Sequence, residues 1–554
     1  MKQIFKKFLI FLLTVSTGMM FCSFATATVV QEQTPINTAK GGTIWTRSFS
    51  TGGLSYNSVP VVTETAIYLV NENILYEMDV KGTIVRRLTL EKSMNSVCHM
   101  ILEDSRLFIP LSGGIMQCVD TETFSSLWIS EAFGGQSLSE VIYHDGYLYA
   151  GSTIMIDSSS TKGSFYCLDA EDGSTKWTYE DTEHPGGYYW SGAAVIKDNL
   201  YFSGDNGLLV CHSLLSDEVY GTWELTETAK IRAGLVFDAV SGALYTASND
   251  GILYQINLDG QGDFVNFESL DFCPGAASRN CTSTPAIWNG RLYIGSASDG
   301  YGFLSVIDLA SFTLQYRARG NKGAEIKSTP LISTGYASEQ NHNKVYVYVS
   351  YNAPPGGLCY LEDDETAVSG TMQTLYTPYT AKQFCLQSIV CGFDGTLYYS
   401  NDSGTLFAVR EVETSSDYIP SATAVPPADT TPPAAVTPSI TPQPTAAASS
   451  SKTAKKSKPK KPSKVSIKIK KAGRTKKGRQ RKKYTIRWKK NTKKSQTLLY
   501  LRQGSGSWKK HVVQTKSTYS FTSTKKNIRI RLRSRWKKNG KWVYSSYTKT
   551  KKVS

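Results

Sequence analysis

An aromatic residue preceded by an aliphatic one recurs eight times between residues 68 and 398, and this period limits the fold more than any other property of the chain. The positions are Tyr68, Phe108, Tyr149, Tyr201, Tyr245, Tyr293, Tyr346 and Tyr398, spaced by 40, 41, 52, 44, 48, 53 and 52 residues. The best copies carry a turn just before the pair, as in Asp145-Gly146-Tyr147-Leu148-Tyr149, Asn289-Gly290-Arg291-Leu292-Tyr293 and Asp394-Gly395-Thr396-Leu397-Tyr398. A second turn follows, as Asp205-Asn206-Gly207, Asn249-Asp250-Gly251 or Asp402-Ser403-Gly404. Asx-Gly pairs supply the positive φ that tight hairpins need, so each marks two antiparallel strands meeting. The apolar period is two, which excludes a helical solenoid. Four short strands per 40 to 50 residues is the arithmetic of a propeller blade.

The eighth unit stops near Arg410-Glu411 without its last strand, and Thr43-Ile44-Trp45-Thr46-Arg47-Ser48-Phe49 precedes the first unit. Pairing these two ends would close the ring and remove its free sheet edges. The expected fold class is therefore all-β, an eight-bladed propeller over residues 41–411. Cys118, Cys167 and Cys211 share one repeat position and read as small packing residues. Cys273 and Cys281 flank a short loop, where a disulfide is one expectation.

The unit Ser-x-Pro…Asp-Gly-x-Leu-Tyr…Gly-x-Leu-Tyr-x-Leu-Asp-x-x-x-Gly-x-x-x-Trp, best kept at 139–177 and 283–316, resembles the pyrroloquinoline-quinone (PQQ)-like propeller repeat. That resemblance spans quinoprotein dehydrogenases, an outer-membrane assembly lipoprotein and many secreted proteins. In members that use PQQ it implies a cofactor stacked beside a Trp, often also beside a disulfide of adjacent cysteines. It further implies Ca²⁺ held by Glu, Asn and Asp, and an Asp base. No Cys-Cys pair occurs in this chain, and no position matches the family's catalytic residues. Six scattered His residues show no metal spacing. The expectation is a non-enzymatic protein with no cofactor and no metal; the alternative is a PQQ-dependent oxidoreductase of the quinoprotein type.

Candidate binding residues follow from aligning the units on the aromatic. The residues opening the inner strands are then Ser58, Cys98, Ser139, Ser191, Arg232, Ser283, Ser328 and Ser388. First strands line a propeller's channel, so a hydroxyl ring with Arg232 as its charged member is expected at one mouth. The alternative is that the hydroxyls satisfy backbone groups where strands crowd. Tyr188, Tyr189 and Trp190 lead into Ser191 and are candidates to stack on a sugar or grip a peptide.

Outside the repeats the composition changes twice. Residues 1–27 combine a basic start, the apolar run Phe8–Val15 and Ala25-Thr26-Ala27, which reads as a secretory signal peptide. Residues 28–40 form an N-terminal segment. Residues 412–463 are rich in Pro, Thr, Ala and Ser and then in Lys, and read as a spacer. From 464 to 554 alternating strands resume, among them Tyr484-Thr485-Ile486-Arg487-Trp488 and Ile528-Arg529-Ile530-Arg531-Leu532-Arg533. They predict a small antiparallel sandwich that resembles a fibronectin type III module. Residues 452–554 hold 38 of the 62 Lys and Arg and no Asp or Glu, leaving 24 basic residues against all 46 acidic ones elsewhere.

So basic a module is expected to meet polyanions. Its candidate contacts are Arg487, Lys489, Lys490, Arg529, Arg531, Arg533 and Arg535. The leader makes the expected localisation secreted, extracellular or cell-wall associated. The expected partners are anionic wall polymers such as teichoic acids or other extracellular polyanions, with envelope proteins or glycans besides, and not intracellular nucleic acid.

Overall fold

The computed structural model describes residues 30–33, 36, 41–50, 53–157, 159–411, 463–474, 480–489, 496–503, 509–514, 517–523, 528–538, 541–544, 548 and 551–553. The leader expected at 1–27 and the spacer over 412–462 lie outside these residues. The chain divides into two compact units, Met1–Pro426 and Pro427–Ser554. Among the described residues both are built of strands, apart from one 3-10 turn at Glu339–Asn341.

The strands of the first unit form eight sheets of four or five strands, with an added hairpin of Ile154–Met155 and Thr161–Lys162. The third sheet is representative. It consists of Ile142–His144, Tyr147–Gly151, Phe165–Asp169 and Thr175–Tyr179. One row crosses it as Ile142, Tyr149, Cys167 and Trp177. The preceding sheet repeats the row as Ile101, Phe108, Cys118 and Trp128.

The recurring aromatic, the small Cys and the Trp are thus cross-strand neighbours, the unit by which sheets are stabilised. Cys118, Cys167 and Cys211 are at most 2% exposed, in keeping with packing residues. The motif's glycine serves the adjoining sheet. Trp45 lies over Gly82, where φ is +80° and an added methyl would come within 2.7 Å of the indole. The Trp45 Nε1 also donates to the Val80 carbonyl at 3.1 Å.

The ring closes as expected. Gly41–Ser48 pairs antiparallel with Thr405–Glu411, with Trp45 opposite Ala408. Each apolar core of this unit is shared by two successive sheets. The last joins Ile67, Leu69 and Met78 of the first sheet to Tyr398, Leu406 and Ala408 of the final one. Cys273 and Cys281 do not form the expected disulfide. Both are buried as free thiols in the core between the fifth and sixth sheets, where each fills apolar volume as a small hydrophobe.

The second unit is a sandwich of two antiparallel sheets. One holds Ser463–Arg474, Gln480–Lys489 and Thr518–Ser523. The other holds Lys509–Gln514, Gln496–Gln503, Ile528–Lys538 and Lys541–Tyr544, with Lys551–Val553 added on Ile528–Lys538. Tyr484, Ile486, Trp488, Leu499, Ile528, Ile530 and Leu532 form its core.

Candidate functional site

Successive side chains of a strand point to opposite faces, so a shift of one residue moves a side chain to the other side. That rule decides what lines the middle of the propeller. The hydroxyls of Ser58, Ser139, Ser283 and Ser328 accept the backbone N–H groups of Val70, Gly151, Gly295 and Ser350 at 2.9 to 3.1 Å. All four residues are at most 1% exposed. Ser191 is equally buried. The first four pin their inner strands to the next ones outward, their hydroxyls bonded to the backbone rather than offered to a ligand, whereas the Ser191 hydroxyl has no partner among the described residues.

Two members of the expected ring occupy different places. In the seventh sheet the recurring place belongs to Tyr348, opposite Leu331, rather than to Tyr346 as the spacing suggested. Counting back three from the residue opposite the recurring aromatic then puts Ala233 and Gln387, not Arg232 and Ser388, at the pinning position. Gln387 does the serine's work, its Oε1 accepting from the Ser400 N–H at 3.1 Å. The fifth sheet has no serine in the stretch Ile231-Arg232-Ala233-Gly234, which removes the mark for the register there.

The next residue along each inner strand turns towards the axis. These residues are Val59, His99, Glu140, Gly192, Gly234, Thr284, Thr329 and Ser388. A cavity of about 570 Å³ lies among the inner strands, with Val59, His99, Glu140, Thr284, Thr329 and Ser388 in its wall. A narrow neck of about 40 Å³ shares His99, Glu140, Thr284, Thr329 and Ser388 and adds Trp190 and Lys327. The wide part is mostly apolar, with Val61, Met100, Ile101, Pro285, Pro330, Leu331 and Ile389, but Glu103 and Tyr143 also stand in its wall. Gln31 and Gln33 reach its rim on the segment that pairs parallel with Ile332 and Ser333.

Glu140 is the acidic member of this ring. An added methyl on Gly192 would come within 2.8 Å of its Oε2, and one on Gly234 within 3.4 Å. The two glycines therefore make the space the carboxylate occupies. Glu140 is half-buried, open to the channel, and desolvation by the surrounding wall lifts its carboxyl to about 7. The same burial pushes His99 down to about 4, so its imidazole is neutral near pH 7. The Lys327 ammonium at the neck lies 2.9 Å from Glu325.

The aromatic loop divides. Tyr188 is 2% exposed and packs edge-on against Phe165 and Phe202, so it belongs to the core and not to a contact surface. Tyr189 and Trp190 are half-buried, with ring centroids 4.5 Å apart. Arg232 lies over Tyr189 at 4.5 Å and clasps Asp205 through Nε and Nη2 at 2.8 and 2.9 Å. Arg232, Tyr189 and Trp190 are brought together as a chain of contacts, with Trp190 alone of the three on the neck wall.

In the sandwich, Ile528, Ile530 and Leu532 are fully buried, while Arg529, Arg531, Arg533 and Arg535 alternate with them on the opposite face. Tyr500 lies beneath Arg531 and Arg533 and accepts from the latter's Nη2 at 3.0 Å; Arg535 donates to Gln496 at 3.0 Å. These partners are neutral. Arg487 and Lys489 are exposed on the other sheet, and Lys490 lies outside the described residues.

Residues 31–263 match the family model described as outer membrane protein assembly factor BamB. The chain carries PQQ-like β-propeller repeats. Among solved structures, the propeller is similar to quinohemoprotein alcohol dehydrogenase ADHIIG from Pseudomonas putida HK5, at 11% identity over 69% of this chain and 78% of that one, with a TM-score of 0.51. It is also similar to the quinohemoprotein alcohol dehydrogenase of Comamonas testosteroni, at 12% identity over 70% and 80%, with a TM-score of 0.50. At such identities the likeness is one of fold. No curated protein matches the chain.

Beside Glu140 in the ring stand Gly192 and, one sheet further, Gly234, and among the described residues no three His, Cys, Asp or Glu side chains are grouped so as to hold a metal ion.

Proposed function

We propose that this protein is a secreted, non-enzymatic binding scaffold of the cell envelope, held there by its basic sandwich, with the propeller presenting a ligand site. The row Arg529, Arg531, Arg533 and Arg535 carries this reading. Alternate residues of one strand stand about 6.6–6.8 Å apart, and the sequence from 452 onward holds no Asp or Glu. A line of guanidiniums supported by neutral partners suits an extended polymer of repeating anions such as a teichoic acid, because Arg recognises phosphate through paired donors. Binding through many such contacts releases counterions and weakens steeply with salt. The deciding experiment is co-sedimentation of the full chain with purified wall polymer between 50 mM and 500 mM salt. Retention at low salt that is lost at high salt is expected; no retention at 50 mM, or retention indifferent to salt, would sink the reading.

A second reading is favoured by the fold shared with the two alcohol dehydrogenases: a PQQ-dependent oxidoreductase. Dye reduction by the protein supplied with PQQ and Ca²⁺ would establish it. The surroundings of Glu140 weigh against it.

A further inference from the structure

We infer that the central channel binds a small organic cation, an apolar amine whose ammonium group rests on Glu140. The inference builds on the propeller as a ligand-binding body, but it is independent of the polymer docking assigned to the sandwich.

Proteins pair or hydrogen-bond the charges they take out of water, and a half-buried carboxylate such as Glu140 without a partner calls for a reason. Arg232 clasping Asp205 follows the rule; Asp402 at a strand end of the last sheet departs from it, its carboxyl raised to about 6 by burial alone, but it does not line the channel. The Glu140 side chain has no hydrogen bond or ion pair with any described residue, and desolvation is the sole influence on its carboxyl. The groups facing it do not change this. His99 is neutral above pH 5, Lys327 is committed to Glu325, and Gly192 and Gly234 bring no side chain at all.

The space beside the carboxylate has the character of a ligand site. At about 570 Å³ it falls within the range that encloses a small molecule. Met100, Ile101, Pro330 and Ile389 give it an apolar wall for a hydrocarbon or aryl body. Trp190 lines the neck together with Glu140, and cations are attracted to aromatic faces. An ammonium seated there supplies the missing partner and turns a desolvation cost into an attraction. An anionic ligand would meet repulsion from the same carboxylate.

Binding needs the carboxylate form of Glu140 and the protonated amine. Affinity therefore rises with pH through about 7 and falls again above about 10, where an alkylamine loses its proton.

The test is calorimetry on the full chain at pH 8 with three probes of one shape: phenethylamine, phenethyl alcohol and phenylacetate. The amine is expected to bind at least tenfold tighter than the alcohol, with phenylacetate weakest, and its affinity to drop at least tenfold at pH 5.5. Glu140→Gln should abolish the preference for the amine and leave the alcohol unchanged. Gly192→Ala, which displaces the carboxylate without removing it, should reduce the preference by a smaller factor. Failure of the amine to bind at pH 8, equal binding of amine and alcohol, or a preference that survives in Glu140→Gln would each overturn the inference. Loss of polymer retention in the sandwich would not bear on it.

Discussion

The propeller and the basic sandwich handle charge in opposite ways. In the propeller a buried cation faces a carboxylate. Arg291 Nε lies 2.8 Å from Asp363, whose side chain is fully buried and also takes hydrogen bonds from Tyr293 and Tyr316. In the sandwich the guanidiniums rest on Tyr500 and Gln496, with no acid anywhere in the module. Removing one partner of a buried pair strands the other, whereas a module rich in one sign of charge repels itself. On the functions proposed above, an outside anion would offset that repulsion in the sandwich, and a bound cation would do the same for Glu140 in the propeller.

Four changes would break or sharpen the contrast. The largest effect is expected from replacing Arg529, Arg531, Arg533 and Arg535 together by Gln. Polymer retention should fall by roughly two orders of magnitude at low salt, read by co-sedimentation, while amine binding in the channel stays as it was. If the quadruple variant is retained like the parent, the row is not the contact. Next is Asp363→Ala, which strands Arg291 and two tyrosine hydroxyls. Thermal or denaturant unfolding of the propeller should show a loss of roughly 3–5 kcal/mol, with retention on polymer untouched.

Glu140→Gln should act the other way and stabilise. Its folded value of about 7 lies above the unfolded one, so the native state of the parent pays for ionisation as pH rises through that interval. Melting curves should therefore show a gain of roughly 1–3 kcal/mol at pH 8, reduced because channel water screens the charge. That gain should vanish near pH 4. A variant less stable than its parent at pH 8 would mean that Glu140 has a partner inside the fold. The smallest change is Ser139→Ala. It removes one hydroxyl that accepts from Gly151 and should cost about 1 kcal/mol, with amine binding preserved. A large loss of binding would return the serines to the channel.

The sequence made the architecture readable because its signals are local. Asx-Gly turns, the recurring aromatic and the distance from Asp to Trp are each set within one sheet, and the strand around Trp45 was legible as the piece missing after Glu411. The channel was misjudged by one residue. Serine at the start of an inner strand looks like a lining group, yet its hydroxyl is short enough to reach the backbone N–H of the adjacent strand, and that draws it into the sheet. The sheets without that serine, at Ala233 and Gln387, then slipped out of alignment: this brought Arg232 in falsely, while Ser388 reaches the channel wall from the neighbouring position. The residue after each serine was in plain view, and Glu140 followed in the ring by Gly192 and Gly234 was the signal available. The burial of Tyr188 could not be read, because only the fold brings Phe165 and Phe202 against it. In the sandwich, strict alternation of Ile or Leu with Arg already separated the core face from the charged one.

The closing of the ring also sets an order in time. Seven sheets take their core strands from one stretch of chain and can assemble as that stretch is made. The eighth waits, because Gly41–Ser48 is among the first strands synthesised and its partner Thr405–Glu411 is the last of the propeller. Until then the opening strand and its tryptophan have nothing to lie on, and Gly82 has no indole to receive. Closing so long a loop adds little in chain entropy, since that cost grows only with the logarithm of length. What it adds is delay: the propeller becomes a closed body only when its final strand arrives, and a chain stopped before residue 405 keeps an open edge.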